Sequence, residues 1–320
     1  MDLLLEVKNL KTQFIVQQKT INAVNDISFS LYNNEVLGIV GESGSGKSVT
    51  VRSILRIINY PGKIVHGNIL FRGADLLSLN EKDLSLIRGK EISMIFQEPS
   101  AALNPVITVG EQISEVLKQH IKLNKKQAKE EAIKILKDVG IPAPERRYHD
   151  YPHQLSGGMQ QRCVISIALA CKPKLLIADE PTTSLDVTIQ AQILSLIVDM
   201  VKRLKIGLIF ITHDIGVVSQ IADKIIVMYA GKIVEEGPTS QIIDNPKHPY
   251  TIELLDSLPT LSTKKGVKLK EIKGQVPDLF NLPSGCSFHP RCSQVKKICI
   301  NNIPNLKKIN NKRYASCFLY

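Results

Sequence analysis

Nine consecutive residues, Gly41, Glu42, Ser43, Gly44, Ser45, Gly46, Lys47, Ser48 and Val49, carry the strongest chemical signal in the chain. The first eight fit G-x-x-x-x-G-K-[ST]. They stand between an apolar run, Val36–Val40, and a helix-forming stretch from about residue 46, which is the context that pattern requires. Glycines let the backbone curl so that successive N–H groups point inward, and the helix N-terminus adds partial positive charge. Together they cradle phosphate oxygens. Lys47 can then reach the β- and γ-phosphates of a nucleotide, and the Ser48 hydroxyl can ligate Mg²⁺.

A second feature lies 132 residues beyond Lys47, where Leu175, Leu176, Ile177 and Ala178 run into Asp179 and Glu180. An apolar strand ending in two acids suits a cation: Asp179 is placed to join the Mg²⁺ shell, and Glu180 to orient or deprotonate an attacking water. A solvated sheet edge is the plainer alternative. A third segment, Leu155, Ser156, Gly157, Gly158, Met159, Gln160, Gln161 and Arg162, precedes Asp179, with Ser156 23 residues before it. Ser156 and the two glycines open a helix of about 157–171 and make another anion-binding N-terminus. One chain has already committed residues 41–48 to its phosphates, so the second cradle is best used on a nucleotide held by a partner chain. Alone, Ser-Gly-Gly would be an ordinary helix cap.

In this order the three motifs resemble the ABC ATPases, whose signature is the Leu-Ser-Gly-Gly run. The resemblance covers about residues 4–240 and departs from the commonest signature only at Met159. It implies roles for further positions. Gln97, after a strand at 92–96, contacts Mg²⁺ and water and couples to membrane subunits. Ser184, Leu185 and Asp186 cross the dimer interface. His213 touches the γ-phosphate, and Phe14 stacks on adenine. Catalysis is then expected of Glu180, His213 and Gln97, nucleotide binding of Phe14, residues 41–49, Ser156, Gly157, Gly158 and Asp186, and Mg²⁺ binding of Ser48, Gln97 and Asp179.

These residues need a scaffold. Short apolar strands at 36–40, 92–96, 175–178, 208–211 and 225–228 alternate with helix-like stretches, the pattern of a parallel sheet covered on both faces. A helix at 124–139 is expected, with Asn124 capping it, Ile133, Leu136 and Val139 on one face, and Gly140 ending it. The expected fold is α/β: a P-loop NTPase with a parallel-sheet RecA-like core, and, by resemblance, an antiparallel β subdomain and a helical subdomain at about 99–157. Residues 1–236 make the nucleotide-binding domain. Beyond Glu236 lie eight of the chain's 16 prolines, so 237–320 is expected to form a small cysteine-containing extension with one helix near 250–257.

The family's branches can be told apart. Chromosome-associated members insert long coiled coils between the phosphate loop and the signature. Here 109 residues separate Lys47 from Ser156 without sustained heptads, and there is one cassette where translation-factor relatives carry two. Asn245, Pro246, Lys247, His248, Pro249, Tyr250 and Thr251, with Leu254 and Leu255, resemble the short motif of the oligopeptide, dipeptide and nickel importer ATPases. So do Gly285, Cys286, Arg291, Cys292, Cys299, Ala315 and Cys317, and the runs Phe96 to Pro99 and Leu103 to Pro105. That branch implies ATP and Mg²⁺, a second and related ATPase subunit, two transmembrane permeases and an extracytoplasmic solute-binding protein. The expected function is energising import of di- or oligopeptides. Nickel or another small solute is the rival cargo, and a soluble ATPase acting on nucleic acid is the rival class.

Bulk properties agree. The 320 residues are 43% hydrophobic, enough for a sizeable core. No run approaches the roughly 20 apolar residues of a membrane span, and the acidic start lacks a signal peptide's pattern. The expected location is therefore the cytoplasmic face of the membrane, held there peripherally. The net charge of +11 concentrates after residue 259, where twelve Lys and Arg face two acids. A solvated Lys-rich surface explains this better than nucleic acid does, because aromatic residues are sparse there. Cys163 and Cys171 read as buried small residues. Cys286, Cys292, Cys299 and Cys317 suit a [4Fe–4S] cluster or a structural zinc, with His289 as a competing ligand; their spacing matches no standard pattern, and thiols without metal are the alternative.

Overall fold

Runs with no polar residue become strands buried on both faces. Every residue of Val36–Val40 is buried, and its neighbour Lys224–Tyr229 runs parallel to it, Leu37 opposite Lys224 and Val40 opposite Val227. Continuous apolar runs are what parallel strands covered on both sides require. The computed structural model describes residues 2–183, 185–258, 272–310 and 312–320. Contacts divide the chain into two units: one is built on residues 78–209 with short pieces from 1–4 and 32–34, the other on 5–31, 35–77 and 210–320. The division passes through the buried strand Gly207–Thr212.

The second unit contains the parallel pair just described and an antiparallel four-stranded sheet. That sheet has the order Lys19–Tyr32, Leu3–Val16, Gly62–Phe71, Ala74–Asp75. The helix Lys47–Ile54 follows the phosphate loop. Gly38 is glycine for a packing reason: a Cβ there would stand 2.0 Å from Val218 Cγ1, so the helix Ile215–Ile221 lies directly on the strand.

The C-terminal part is more regular than its composition suggests. The expected helix is Pro249–Asp256, but helices Thr239–Asp244 and Lys297–Asn301 accompany it. Strands Lys307–Asn310 and Arg313–Ala315 pair with each other, and the latter runs antiparallel to Lys232–Pro238. These short polar strands show no apolar alternation. Tertiary contact holds them instead: Arg313, 2% exposed, donates at 2.7 Å to the fully buried Glu235. Glu235 in turn accepts the backbone N–H groups of Lys247 and His248, each at 2.9 Å. Removing one partner of such a pair leaves a buried charge uncompensated, at a cost of roughly 3–5 kcal/mol.

In the first unit, strands Ile92–Ile95 and Leu175–Asp179 run parallel. Helix Gly157–Leu169 packs on Ile92–Ile95, and helices Val109–Ile121, Lys125–Asp138 and Val187–Leu204 pack in turn on Gly157–Leu169. Asn124 caps the Lys125–Asp138 helix in a reciprocal capping box with Gln127, and Gly140, at φ 77°, ends it. Its buried stripe is Ala128, Ala132, Ile135 and Leu136, continued by Val139, while Ile133 is only half-buried. The Arg162 guanidinium donates to the Val139 carbonyl, tying the signature helix to the end of this one.

Candidate functional site

The phosphate loop is shaped by two close approaches. A Cβ on Gly41 (φ 155°) would lie 2.2 Å from the Met228 carbonyl oxygen, and one on Gly46 (φ 102°) would lie 2.4 Å from that of Ala23. Only glycine permits both the backbone angles and the contacts. Gly44 has the same left-handed freedom, φ 78°, but a Cβ there meets none of the described residues within 4 Å, and Ser43 and Gly44 are exposed at the tip. Lys47 is 4% exposed and folds over the loop, its Nζ donating to the Gly41 carbonyl at 2.8 Å and the Glu42 carbonyl at 3.0 Å. Ser48 and Val49 are half-buried in the first turn of the helix. The Ser45 hydroxyl is buried without a hydrogen-bond partner. An open glycine tip, a fixed ammonium and an unused hydroxyl fit a phosphate-bearing ligand.

In the same unit, His213 is exposed directly after the strand Gly207–Thr212. The next residue, Asp214, caps a helix by accepting the Gly216 N–H at 2.7 Å. Phe14 sits opposite Gly62 across the antiparallel ladder. Its ring fills the space of a Cβ there, 2.7 Å from where that atom would stand.

The first unit places the two acids and the glutamine together. Asp179 is fully buried at the end of its strand. Glu180 follows in a left-handed conformation, φ 46°, unusual for a side chain of its size and a kind of strain that gathers at functional sites. Gln97 Nε2 lies 3.5 Å from Glu180 Oε2, and Thr183 Oγ1 donates to that same oxygen at 3.0 Å. Sequence reasoning missed the supports beneath: Gln161 donates to the Pro181 carbonyl at 2.8 Å, and Gln190 to those of Thr182 and Leu185, both at 2.9 Å. The available signal was Gln161 itself, a fully buried amide among Cys163, Val164 and Ile165.

Ser156 caps Gly157–Leu169, its hydroxyl accepting the Met159 N–H at a long 3.4 Å. A Cβ on Gly157 would meet only Leu185, at an ordinary 3.7 Å, whereas one on Gly158 would come within 3.0 Å of Ile189. Packing among the described residues therefore gives no reason for glycine at 157. Asp186 is exposed at the start of Val187–Leu204 and makes no side-chain cap, and Val187 beside it is 82% exposed. Ser184 lies outside the described residues.

Cys163 is buried, and burial pushes its thiol up to about 12, which makes it an inert packing residue. Cys286, Cys292, Cys299 and Cys317 line one small pocket with His248 and Phe288. Burial, reinforced by mutual repulsion, raises the thiols of Cys286, Cys292 and Cys317. Cys299 Sγ accepts the Lys296 N–H at 3.4 Å, and the Cys286 N–H donates to the Cys299 carbonyl at 2.9 Å. The set expected to hold a cluster or zinc is thus gathered but not arranged as ligands: among the described residues, no group of three or more His, Cys, Asp or Glu side chains is placed to hold a metal ion.

Comparison with known proteins accords with this geometry. Residues 24–183 match the ABC transporter family, and residues 234–299 match the oligopeptide/dipeptide transporter C-terminal region. The chain is 50% identical over 317 residues to the oligopeptide transport ATP-binding protein OppD of Bacillus subtilis, covering 99% of this chain and 88% of that protein. It is 48% identical over 320 residues to the dipeptide transport ATP-binding protein DppD of the same organism, covering 100% and 95%. The ATP-binding cassette MJ0796, in a dimeric post-hydrolysis state bound to ADP and Pi, superposes with a TM-score of 0.66 at 27% identity, over 73% of this chain and 98% of that one. The cbiO1 protein of Clostridium perfringens, part of the ABC transporter complex cbiONQ, gives 0.64 at 29% identity, over 77% and 92%. Among the described residues no helix is long and apolar enough to cross a membrane. With its phosphate loop, its paired acids and its Ser-Gly-Gly helix cap, the chain belongs to the ABC transporter family of ATPases, in the branch that carries the oligopeptide/dipeptide transporter C-terminal region.

Proposed function

We propose that this ATPase drives import of di- or oligopeptides from the cytoplasmic face of the membrane, beneath two transmembrane permeases supplied by an extracytoplasmic solute-binding protein. The observation that carries the reading is full-length similarity, cassette and C-terminal region alike, to oligopeptide and dipeptide transport ATP-binding proteins. Residues 1–236 serve as the nucleotide-binding domain, with 99–157 receiving the permeases, and 237–320 form the extension. A second, related ATPase completes each site: Ser156, Gly157, Gly158 and Asp186 of one chain close on the ATP held by the other. Support comes from the exposed Asp186 and Val187, and from a glycine at 157 that packing among the described residues does not need.

Within one chain, the N–H groups of 41–49 and Lys47 bind the phosphates, and Phe14 stacks on the adenine. The Ser48 hydroxyl, Gln97 carbonyl and Asp179 carboxylate are the hard oxygen donors that Mg²⁺ takes. When bound, Mg²⁺ neutralises charge developing on the phosphate oxygens. Glu180 accepts the proton of the attacking water, with Gln97 and Thr183 fixing its carboxylate, and His213 senses the γ-phosphate. Electrostatic positioning of this kind supplies most of the rate in phosphoryl transfer. A [4Fe–4S] cluster or Zn²⁺ on Cys286, Cys292, Cys299 and Cys317 is a finer part of the proposal. It is supported by their shared pocket and tested by the iron and zinc content of protein purified without oxygen. No step of hydrolysis passes through it.

Glu180→Gln tests the central reading. It should bind ATP as the natural protein does, hydrolyse it at least 100-fold more slowly, a factor typical of a lost general base, and abolish uptake of labelled peptide in cells. Turnover near the natural rate would move the base elsewhere. Intact peptide uptake alongside lost nickel uptake would replace the cargo.

A further inference from the structure

We infer that Arg291, in the C-terminal region, is a positioning residue for the phosphate loop, acting through Glu42. The loop pattern leaves position 42 unspecified, and a nucleotide site needs no carboxylate there. Yet both the side chain and the main chain of Glu42 are gripped from more than 200 residues away. Arg291 closes a two-toothed fork on it, Nη1 donating to Oε2 at 2.7 Å and Nη2 to Oε1 at 3.0 Å. The Arg291 side chain is 4% exposed. Its Nε donates to the Lys273 carbonyl at 2.9 Å, and Nη1 also reaches the Tyr229 hydroxyl at 3.3 Å. The Glu42 N–H donates to the Tyr250 hydroxyl at 2.8 Å.

The fork rests on a rigid base. The rings of Tyr229, Tyr250 and Phe288 pack with centroids 4.7, 5.2 and 5.4 Å apart. The guanidinium lies over two of them, 5.8 Å from the Tyr229 ring and 6.0 Å from that of Phe288. All three rings are at most 1% exposed. A planar guanidinium held by rings and a backbone carbonyl keeps one orientation, which a flexible ammonium would not.

The consequence reaches Lys47. The Glu42 carbonyl accepts Lys47 Nζ at 3.0 Å and the Ser45 N–H at 3.2 Å. Because Tyr250 takes the Glu42 N–H, the peptide unit between 41 and 42 has one rotation. The other half of that unit, the Gly41 carbonyl, accepts Lys47 Nζ at 2.8 Å, so the ammonium inherits that setting. The C-terminal region thereby presets the cradle before phosphate arrives and lowers the ordering cost of binding.

This inference rests on residues 41–49 being the phosphate cradle, and the experiment separates the two claims. Full-length protein is titrated with a fluorescent mant-ATP in the presence of Mg²⁺, and ATPase kinetics are measured alongside. Lys47→Ala checks the cradle itself: undiminished binding there would remove the cradle assignment, whatever Arg291 does. With the cradle upheld, Arg291→Met should raise Kd and KM by roughly five- to tenfold, the lower range of coupling between linked sites. KM should rise by a larger factor than kcat falls. Arg291→Lys should recover part of the loss. Glu42→Gln should resemble Arg291→Met, and the double variant should be no worse than either single one. A lowered unfolding midpoint with Kd and KM unchanged, or fully additive losses, would overturn the inference. If Arg291→Met does not fold, Tyr250→Phe decides: it keeps the packed ring and deletes only the acceptor of the Glu42 N–H, so an unchanged Kd there overturns the inference equally.

Discussion

Acid should loosen this protein through His248. His248 is 2% exposed and caps the helix Pro249–Asp256, its Nδ1 accepting the Tyr250 N–H at 3.1 Å. That nitrogen carries no proton, and a second proton on the ring would place a cation beside Phe288, whose ring centre is 5.7 Å away. The Glu235 carboxylate meets the His248 backbone N–H and is already paired with Arg313. Burial therefore holds the imidazole down to about 3, from an ordinary 6.5. The sign follows. Below 6.5 the unfolded chain takes up the proton and the native one does not, so stability is fully present above that value and drains as pH falls towards the native value. The slope is about 1.4 kcal/mol per pH unit, so at about pH 5 the loss is roughly 2 kcal/mol. The chain has no tryptophan, so urea unfolding is best followed by far-ultraviolet circular dichroism, at about pH 8 and pH 5. His248→Asn keeps a capping acceptor and removes the titration. The other six histidines cancel in the comparison. The variant should lose about 2 kcal/mol less than the natural protein between the two pH values. Parallel pH dependences would refute the buried neutral imidazole.

Two substitutions separate packing from chemistry elsewhere. The Ser156 hydroxyl makes only a long 3.4 Å cap, so Ser156→Ala should cost less than about 1 kcal/mol of stability. It should nevertheless slow ATP hydrolysis by roughly tenfold or more if the hydroxyl meets a partner's phosphate, and an unaltered rate would sink the shared site. Gly38→Ala drives a methyl to 2.0 Å from Val218 Cγ1 and should cost about 1–3 kcal/mol. Val218→Ala in the same chain should recover part of that in thermal unfolding, and no recovery would place the strain elsewhere.

What could be read from the sequence was whatever a local pattern dictates. Val36–Val40 was legible to the residue because a strand buried on both faces has no polar position to blur its ends. Asn124 and Gly140 marked a helix whose cap and left-handed terminus follow from their side chains alone. The motifs at 41–48, 156–158 and 179–180 were visible because phosphate chemistry restricts residue types at short range. What stayed hidden depends on distance. Arg313–Ala315 is a strand because of a buried ion pair with Glu235, 78 positions earlier, and no propensity scale contains that. Gln161 and Gln190 hold the turn after Glu180 through carbonyls, which leave no mark on residue type at 181, 182 or 185. The four C-terminal cysteines suggested a common destination, and they share a pocket, but spacing says nothing about whether thiols face one another as ligands.

Composition changes near Glu236, where prolines accumulate and periodicity fades, yet packing does not change there. Strand Lys224–Tyr229 serves both sides of that point. The carbonyl of Met228 presses on Gly41 and forces a glycine into the loop, while the next ring, Tyr229, anchors Tyr250 and Phe288 from the C-terminal region. Tyr250 and Arg291 then return to Glu42, one residue beyond that glycine. The path closes on itself within a few residues, and each contact along it is buried or half-buried. A segment with its own composition is therefore part of the wall on which the phosphate loop is built, and its sequence can change only where Tyr250, Phe288 and Arg291 keep their places.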